Sequence, residues 1–167
     1  MAPVIQKKLV LLGAPGVGKT SLVRRFVESL FDDKYLTTIG VKVDKKQIQV
    51  NGTDLLMMLW DVAGAEETFS VPSSYVRGAA GILVVIDGTR PQTVGTAVDL
   101  IDQVHRDVGA LPAVIVLNKT DLVDQWKIGD ADLEVVRAGG RPIVRASAKT
   151  GSGVEEAFLS IARELVS

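Results

Sequence analysis

Eight consecutive residues, Gly13-Ala14-Pro15-Gly16-Val17-Gly18-Lys19-Thr20, followed by Ser21, carry the strongest chemical signal in the chain. They fit the pattern G-x-x-x-x-G-K-[ST]. A polyphosphate needs many N–H donors at close range, so the loop that cradles it must lack bulk. Successive backbone N–H groups form a nest, and a helix starting at its end adds partial positive charge. Lys19 then neutralises the β and γ phosphates as a point charge. The Thr20 hydroxyl suits Mg2+, a hard ion that prefers oxygen. A glycine turn merely joining strand to helix is the bland alternative. At average residue frequencies a chance match in a chain of this length is about one in a hundred.

Asn118-Lys119-Thr120-Asp121 follows an apolar run, Ala113–Leu117. The C-terminal ends of strands are where open α/β sheets bind ligands. A carboxylate at Asp121 can accept N–H bonds from guanine N1 and its exocyclic N2. Adenine offers no such donor pair, and a site built on those bonds discriminates by roughly 10⁴ or more. Alone this tetrapeptide is weak, since any polar strand exit resembles it; in this order after the phosphate loop it is strong. Trp60-Asp61-Val62-Ala63-Gly64 ends another apolar run. Asp61 is expected to hold Mg2+ through water, and Gly64, without a side chain, can bring its N–H to a γ-phosphate. Ser147-Ala148-Lys149 follows the last such run, where a backbone N–H could reach guanine O6.

The elements that must position these residues are legible as alternation. Apolar, β-rich runs at Lys8–Leu12, Leu55–Trp60, Gly81–Ile86, Ala113–Leu117 and Pro142–Arg145 suit strands buried on both faces of a parallel sheet. Helical patterns lie between them: Leu22, Val23, Phe26 and Val27; Val94, Ala97, Val98, Ile101 and Val108; and Val154, Ala157, Phe158, Ile161 and Leu165. A capping box, Ser152-x-x-Glu155, is expected to open the last of these. Val41–Val50 reads as a strand joined by Asn51-Gly52 to Leu55–Trp60, a tight hairpin signal. One strand should therefore run antiparallel to the rest. Its apolar parity changes between Val41/Val43 and Ile48/Val50, which predicts an edge strand with a bulge. The fold class expected is α/β, with right-handed crossovers.

Composition narrows the setting. The 167 residues suit one domain, 1–167, and carry 19 Lys and Arg against 20 Asp and Glu. That balance gives no electrostatic footprint for nucleic acid and no polybasic run for an anionic membrane. Hydrophobic residues at 47% and charged residues at 23% make an ordinary globular mix. With no cysteine and one histidine, disulfides, thiolate metal sites, thiol catalysis, prenyl or palmitoyl attachment and a multi-His site are excluded. Apolar runs such as Ile82–Ile86 are too short to span a bilayer, and a cytoplasmic setting is expected. Among other residues, His105 is expected to be solvated on the polar side of its helix, and Asp32-Asp33 to lie in an exposed loop. Trp126 is expected to pack over the sheet edge, and Asp87 to be structural.

Taken together, Gly13–Ser21, Tyr35-Leu36-Thr37-Thr38-Ile39-Gly40, Trp60–Gly64, Asn118–Asp121 and Ser147–Lys149 resemble the motifs of a small GTPase of the Ras superfamily, nearest the Rab branch. The resemblance implies a P-loop NTPase fold: a mainly parallel six-stranded sheet with one antiparallel edge strand and helices on both faces. It implies a GTP-binding switch that hydrolyses GTP slowly, with Mg2+ and with switch loops near 31–40 and 61–76. It makes Thr38 a Mg2+ ligand of the GTP state beside Thr20 and Asp61, sets Phe31 near the guanine edge and closes Tyr35 over the phosphates. It packs the Lys119 stem along the base and uses Asn118 to tie its loop to the phosphate loop. An exchange factor, a GTPase-activating protein and effectors are the implied partners.

Three departures from the family pattern matter. Ala65 stands where a glutamine usually orients the attacking water. Alanine cannot do so, and it is either native or a substitution that holds the GTP state. A GTP-loaded scaffold with little intrinsic hydrolysis is the alternative reading that follows. Pro15 removes one N–H from the phosphate loop and its ring crowds an arginine entering from a partner. The chain ends at Ser167 without the family's lipidated cysteine tail. Membrane association then needs a missing tail or a partner, and a prokaryotic relative is equally suited. An ATP-using phosphotransferase on the same phosphate loop is disfavoured by Asn118–Asp121.

Overall fold

Each apolar run forms a strand of one six-stranded sheet in the computed structural model, which describes residues 3–29, 41–62, 71–138 and 140–167. The strands are β1 (Ile5–Gly13), β2 (Val41–Val50), β3 (Thr53–Val62), β4 (Gly81–Asp87), β5 (Ala113–Asn118) and β6 (Ile143–Arg145). Their spatial order is β2-β3-β1-β4-β5-β6. All neighbours pair parallel except β2 with β3. Among the described residues the helices are α1 (Lys19–Glu28), α2 (Ser73–Val76), α3 (Gln92–Val108), α4 (Asp130–Arg137) and α5 (Val154–Val166), with a 3-10 turn at Val123–Gln125.

Both faces of the sheet are covered, and β1 shows why its run is continuous rather than alternating. Leu9 and Leu11 join a core built with Leu22 and Phe26 of α1 and Phe158 and Ile161 of α5. Val10 and Leu12 point the other way, into a second core with Val94 and Ile101 of α3 and Leu133 and Val136 of α4. Phe26 and Phe158 stack with ring centroids 4.1 Å apart. Burying a side chain of that size contributes about 2–3 kcal/mol.

The β2–β3 hairpin turns on Asn51 (φ 51°) and Gly52 (φ 79°), the left-handed pair that a two-residue hairpin requires. The expected bulge is absent: β2 pairs without interruption from Val41 opposite Val62 to Val50 opposite Thr53. The parity change has another cause. Ile48 and Val50 pack against the α1–α5 core, whereas Val41, at the opposite end, packs against the α3–α4 core. One straight edge strand thus serves a different face at each end.

The capping box expected at Ser152 is also not formed. Gly153, at φ 71°, is the residue that opens α5, and no side chain caps it. A β-carbon on Gly153 would run into the Arg145 carbonyl, so the chain turns where only glycine fits. Helix α4 went unread in the sequence because only Leu133 and Val136 of it are buried. Its first turn is held instead by the Gly129 N–H donating to the Asp132 carboxylate at 2.9 Å. Trp126 lies over Gly88, just past β4, with Arg145 of the edge strand β6 stacked 5.6 Å from its ring. His105 is not simply solvated: its Nε2 is buried and has no hydrogen-bond partner among the described residues.

Candidate functional site

The sheet order puts the C-terminal end of β1 between β3 and β4, where the chain leaves toward opposite sides. In doubly wound sheets that switch point opens a crevice. Parallel registers bring the sequence motifs to its rim. Leu11 pairs with Asp61, two residues before the glycine loop begins at Gly13. Gly13 pairs with Val85, and Asp87 pairs with Asn118.

The loop itself is shaped by close approaches. A β-carbon on Gly13 would stand 2.7 Å from the Val85 carbonyl oxygen. Gly18, at φ 102°, precedes α1, and a β-carbon there would collide with the Asn118 amide. That amide donates from Nδ2 to the Val17 carbonyl at 2.9 Å, and its Oδ1 accepts the Ala148 N–H at 3.3 Å. One buried side chain therefore joins the glycine loop, the Asn118–Asp121 turn and the Ser147–Lys149 loop. Ser147, fully buried, donates its hydroxyl to Asp121 Oδ1 at 2.7 Å and fixes that carboxylate from behind.

Lys19 is 6% exposed, and its ammonium donates to the carbonyls of Gly13 (3.3 Å) and Ala14 (3.5 Å). Burial draws its pKa down to about 8; the Asp61 charge opposes that shift and the Arg90 charge adds to it. The Thr20 hydroxyl donates to Asp61 Oδ2 at 2.6 Å. These two oxygen donors suit a hard cation. Among the described residues no cluster of three or more His, Cys, Asp or Glu could hold a metal alone. A cation here would complete its shell with phosphate oxygens and water, the habit of Mg2+.

Two arginines and an aspartate brace these loops, and the roles of the two arginines were not read from the sequence. Arg25 of α1 donates from Nε to the Ala148 carbonyl at 2.8 Å and also to the Lys149 carbonyl. Asp87, fully buried at the end of β4, accepts from the Thr89 N–H and hydroxyl, from Arg90 and from Lys119. Burial would raise its pKa, but those donors, Lys119 foremost, hold it below the ordinary aspartate value. Asp87 is structural, as expected, and its structure is that of the site. Lys119 adopts a left-handed backbone (φ 74°), strain of about 1–3 kcal/mol that clusters at functional sites. Its ammonium reaches the Gly16 carbonyl at 2.9 Å. Phe31, Tyr35, Thr38, Gly64 and Ala65 lie outside the described residues, as do Asp32 and Asp33.

Residues 8–167 match the family model of the Ras family. The chain belongs to the Ras family. It is 34% identical over 161 residues to the Ras-related protein Rab-1D of Dictyostelium discoideum, across 95% of this chain and 78% of that protein. It is a Rab-like small GTPase, a GTP-binding switch with GTP hydrolase activity, on the six-stranded P-loop fold described above. Members of the family generally bind GTP and GDP with Mg2+ and work with exchange factors, activating proteins and effectors. Among the described residues no helix is long and apolar enough to cross a membrane.

Proposed function

We propose that residues 1–167 form one GTPase domain that binds guanine nucleotide with Mg2+ at the rim of β1, β3, β4 and β5 and hydrolyses GTP slowly. The loop Gly13–Ser21 takes the phosphates, with Lys19 on the β and γ groups. Thr20, Thr38 and, through water, Asp61 hold Mg2+. When bound, that ion draws charge from the phosphate oxygens and eases departure of the leaving group. Asp121 reads guanine N1 and N2, a backbone N–H of the Ser147–Lys149 loop reads O6, and Phe31, Lys119 and Tyr35 enclose the nucleotide. Hydrolysis is in-line attack of water on the γ-phosphorus. The bond to the β–γ bridging oxygen breaks, giving GDP and inorganic phosphate. Lys19 and the Gly64 N–H stabilise the charge that moves.

The observation that carries this reading is the Asn118 side chain. It bonds the phosphate loop and the Ala148 loop at once, so base and phosphate recognition are built as one unit. The cytoplasmic, signalling role of such a switch, and contact with a membrane only through a partner or a tail, belong to the same proposal.

Ala65 favours a second reading, a GTP-loaded scaffold with little turnover. Single-turnover phosphate release at saturating GTP and constant Mg2+ separates the two. Slow but measurable release supports the switch, and none supports the scaffold. If the family geometry holds, Ala65→Gln accelerates release by about tenfold or more, equivalent to roughly 1.4 kcal/mol of transition-state stabilisation. Nucleotide affinity barely moves, because this side chain acts on the transition state. Equal rates would mean that Glu66, Glu67 or a partner positions the water.

A further inference from the structure

Arg90, just before α3, reaches 75 residues back along the chain and donates from Nη2 to the Pro15 carbonyl at 2.8 Å. Its Nε bonds Asp87 Oδ2 at 2.9 Å, the same oxygen that takes Lys119 at 2.8 Å. Two successive carbonyls of the phosphate loop, Pro15 and Gly16, are therefore each gripped by a cation, and both cations share one buried carboxylate. The residue between the two gripped peptides' α-carbons is Gly16, at φ 75°, the most conformationally free residue type. Pro15 has no N–H with which to steady the loop from within.

A trans peptide is planar, so its C=O and the following N–H point in opposite directions. Fixing the Pro15 carbonyl on Arg90 turns the Gly16 N–H away from Arg90, across the loop. We infer that Arg90, anchored by Asp87, is a positioning residue: through the Pro15 carbonyl it presets the Gly16 N–H as a donor to the terminal phosphates of the nucleotide. The inference rests on the guanine-nucleotide reading of the site. It adds that the distal part of the loop is organised before the nucleotide arrives, which lowers the ordering cost of binding.

Affinities for GDP and GMP, measured by calorimetry in Mg2+ buffer, test it, because only GDP carries a phosphate beyond the first. Arg90→Ala is expected to weaken GDP by about tenfold or more and GMP by less than about threefold, the loss of one charge-assisted bond acting on the second phosphate. Arg90→Lys keeps a cation beside Asp87 but lacks the planar fork that spans Asp87 and Pro15, so the same selective loss is expected, about fivefold. It decides the question alone if Arg90→Ala does not fold. GDP affinity unchanged, or GDP and GMP weakened equally, would overturn the inference. A parent protein that fails to prefer GDP over ADP would instead overturn the nucleotide reading beneath it.

Discussion

At the scale of single residues, Lys19 is a cation held where water scarcely reaches, and its hydrogen-bond partners among the described residues are carbonyl oxygens at 3.3 and 3.5 Å. Burial has already drawn its pKa to about 8, so a nearby polyphosphate would be met by a charge with little solvation left to lose. Lys19→Ala should therefore weaken GDP binding by about 100-fold, near 3 kcal/mol, the upper range for bonds to charged groups. Titration calorimetry checks this, and an affinity within a few fold of the parent would contradict the role given to Lys19. The residue types of the loop were legible because close packing and phosphate chemistry both demand them locally. Arg25 and Arg90 were not. An arginine on a helix, or in the turn before one, looks like any solvated charge, and what makes these two matter is carbonyls 123 and 75 residues away.

At the scale of elements, glycine and apolar pattern were read with unequal success. Asn51-Gly52 announced its hairpin because the turn needs two left-handed residues and little else. Ser152-x-x-Glu155 has the composition of a capping box, but Gly153 intervenes with a left-handed backbone and begins the helix itself. The bulge expected in β2 failed for a tertiary reason, since a strand at the sheet edge can be apolar toward either core in turn. These two glycines make a matched prediction. A β-carbon at Gly52 meets nothing within 4 Å, so Gly52→Ala should cost only the left-handed backbone penalty, about 1 kcal/mol. At Gly153 the same penalty is joined by a collision with the Arg145 backbone, and Gly153→Ala should cost about 3 kcal/mol or more. Urea unfolding of the two variants checks the order; equal losses would mean that the turn before α5 relaxes freely.

At the scale of the whole molecule, the sheet order is what turns scattered motifs into one site. Strands β1, β3, β4 and β5 deliver the glycine loop, Asp61, Asp87 and Asn118 to a common rim, and helices on both faces hold that rim rigid. The Asp121 carboxylate, proposed above to read the base, is fixed by Ser147, and Asn118 at the head of its turn bonds the glycine loop. This assembly is proposed to select guanine. Its most direct test is calorimetric titration of GDP, ADP and xanthosine diphosphate into the parent protein and Asp121→Asn. The parent is expected to prefer GDP over ADP by roughly 10⁴ or more. Asp121→Asn is expected to weaken GDP and strengthen the xanthine nucleotide, whose oxygen replaces guanine's amino group. Comparable affinity of the parent for GDP and ADP would contradict the proposal.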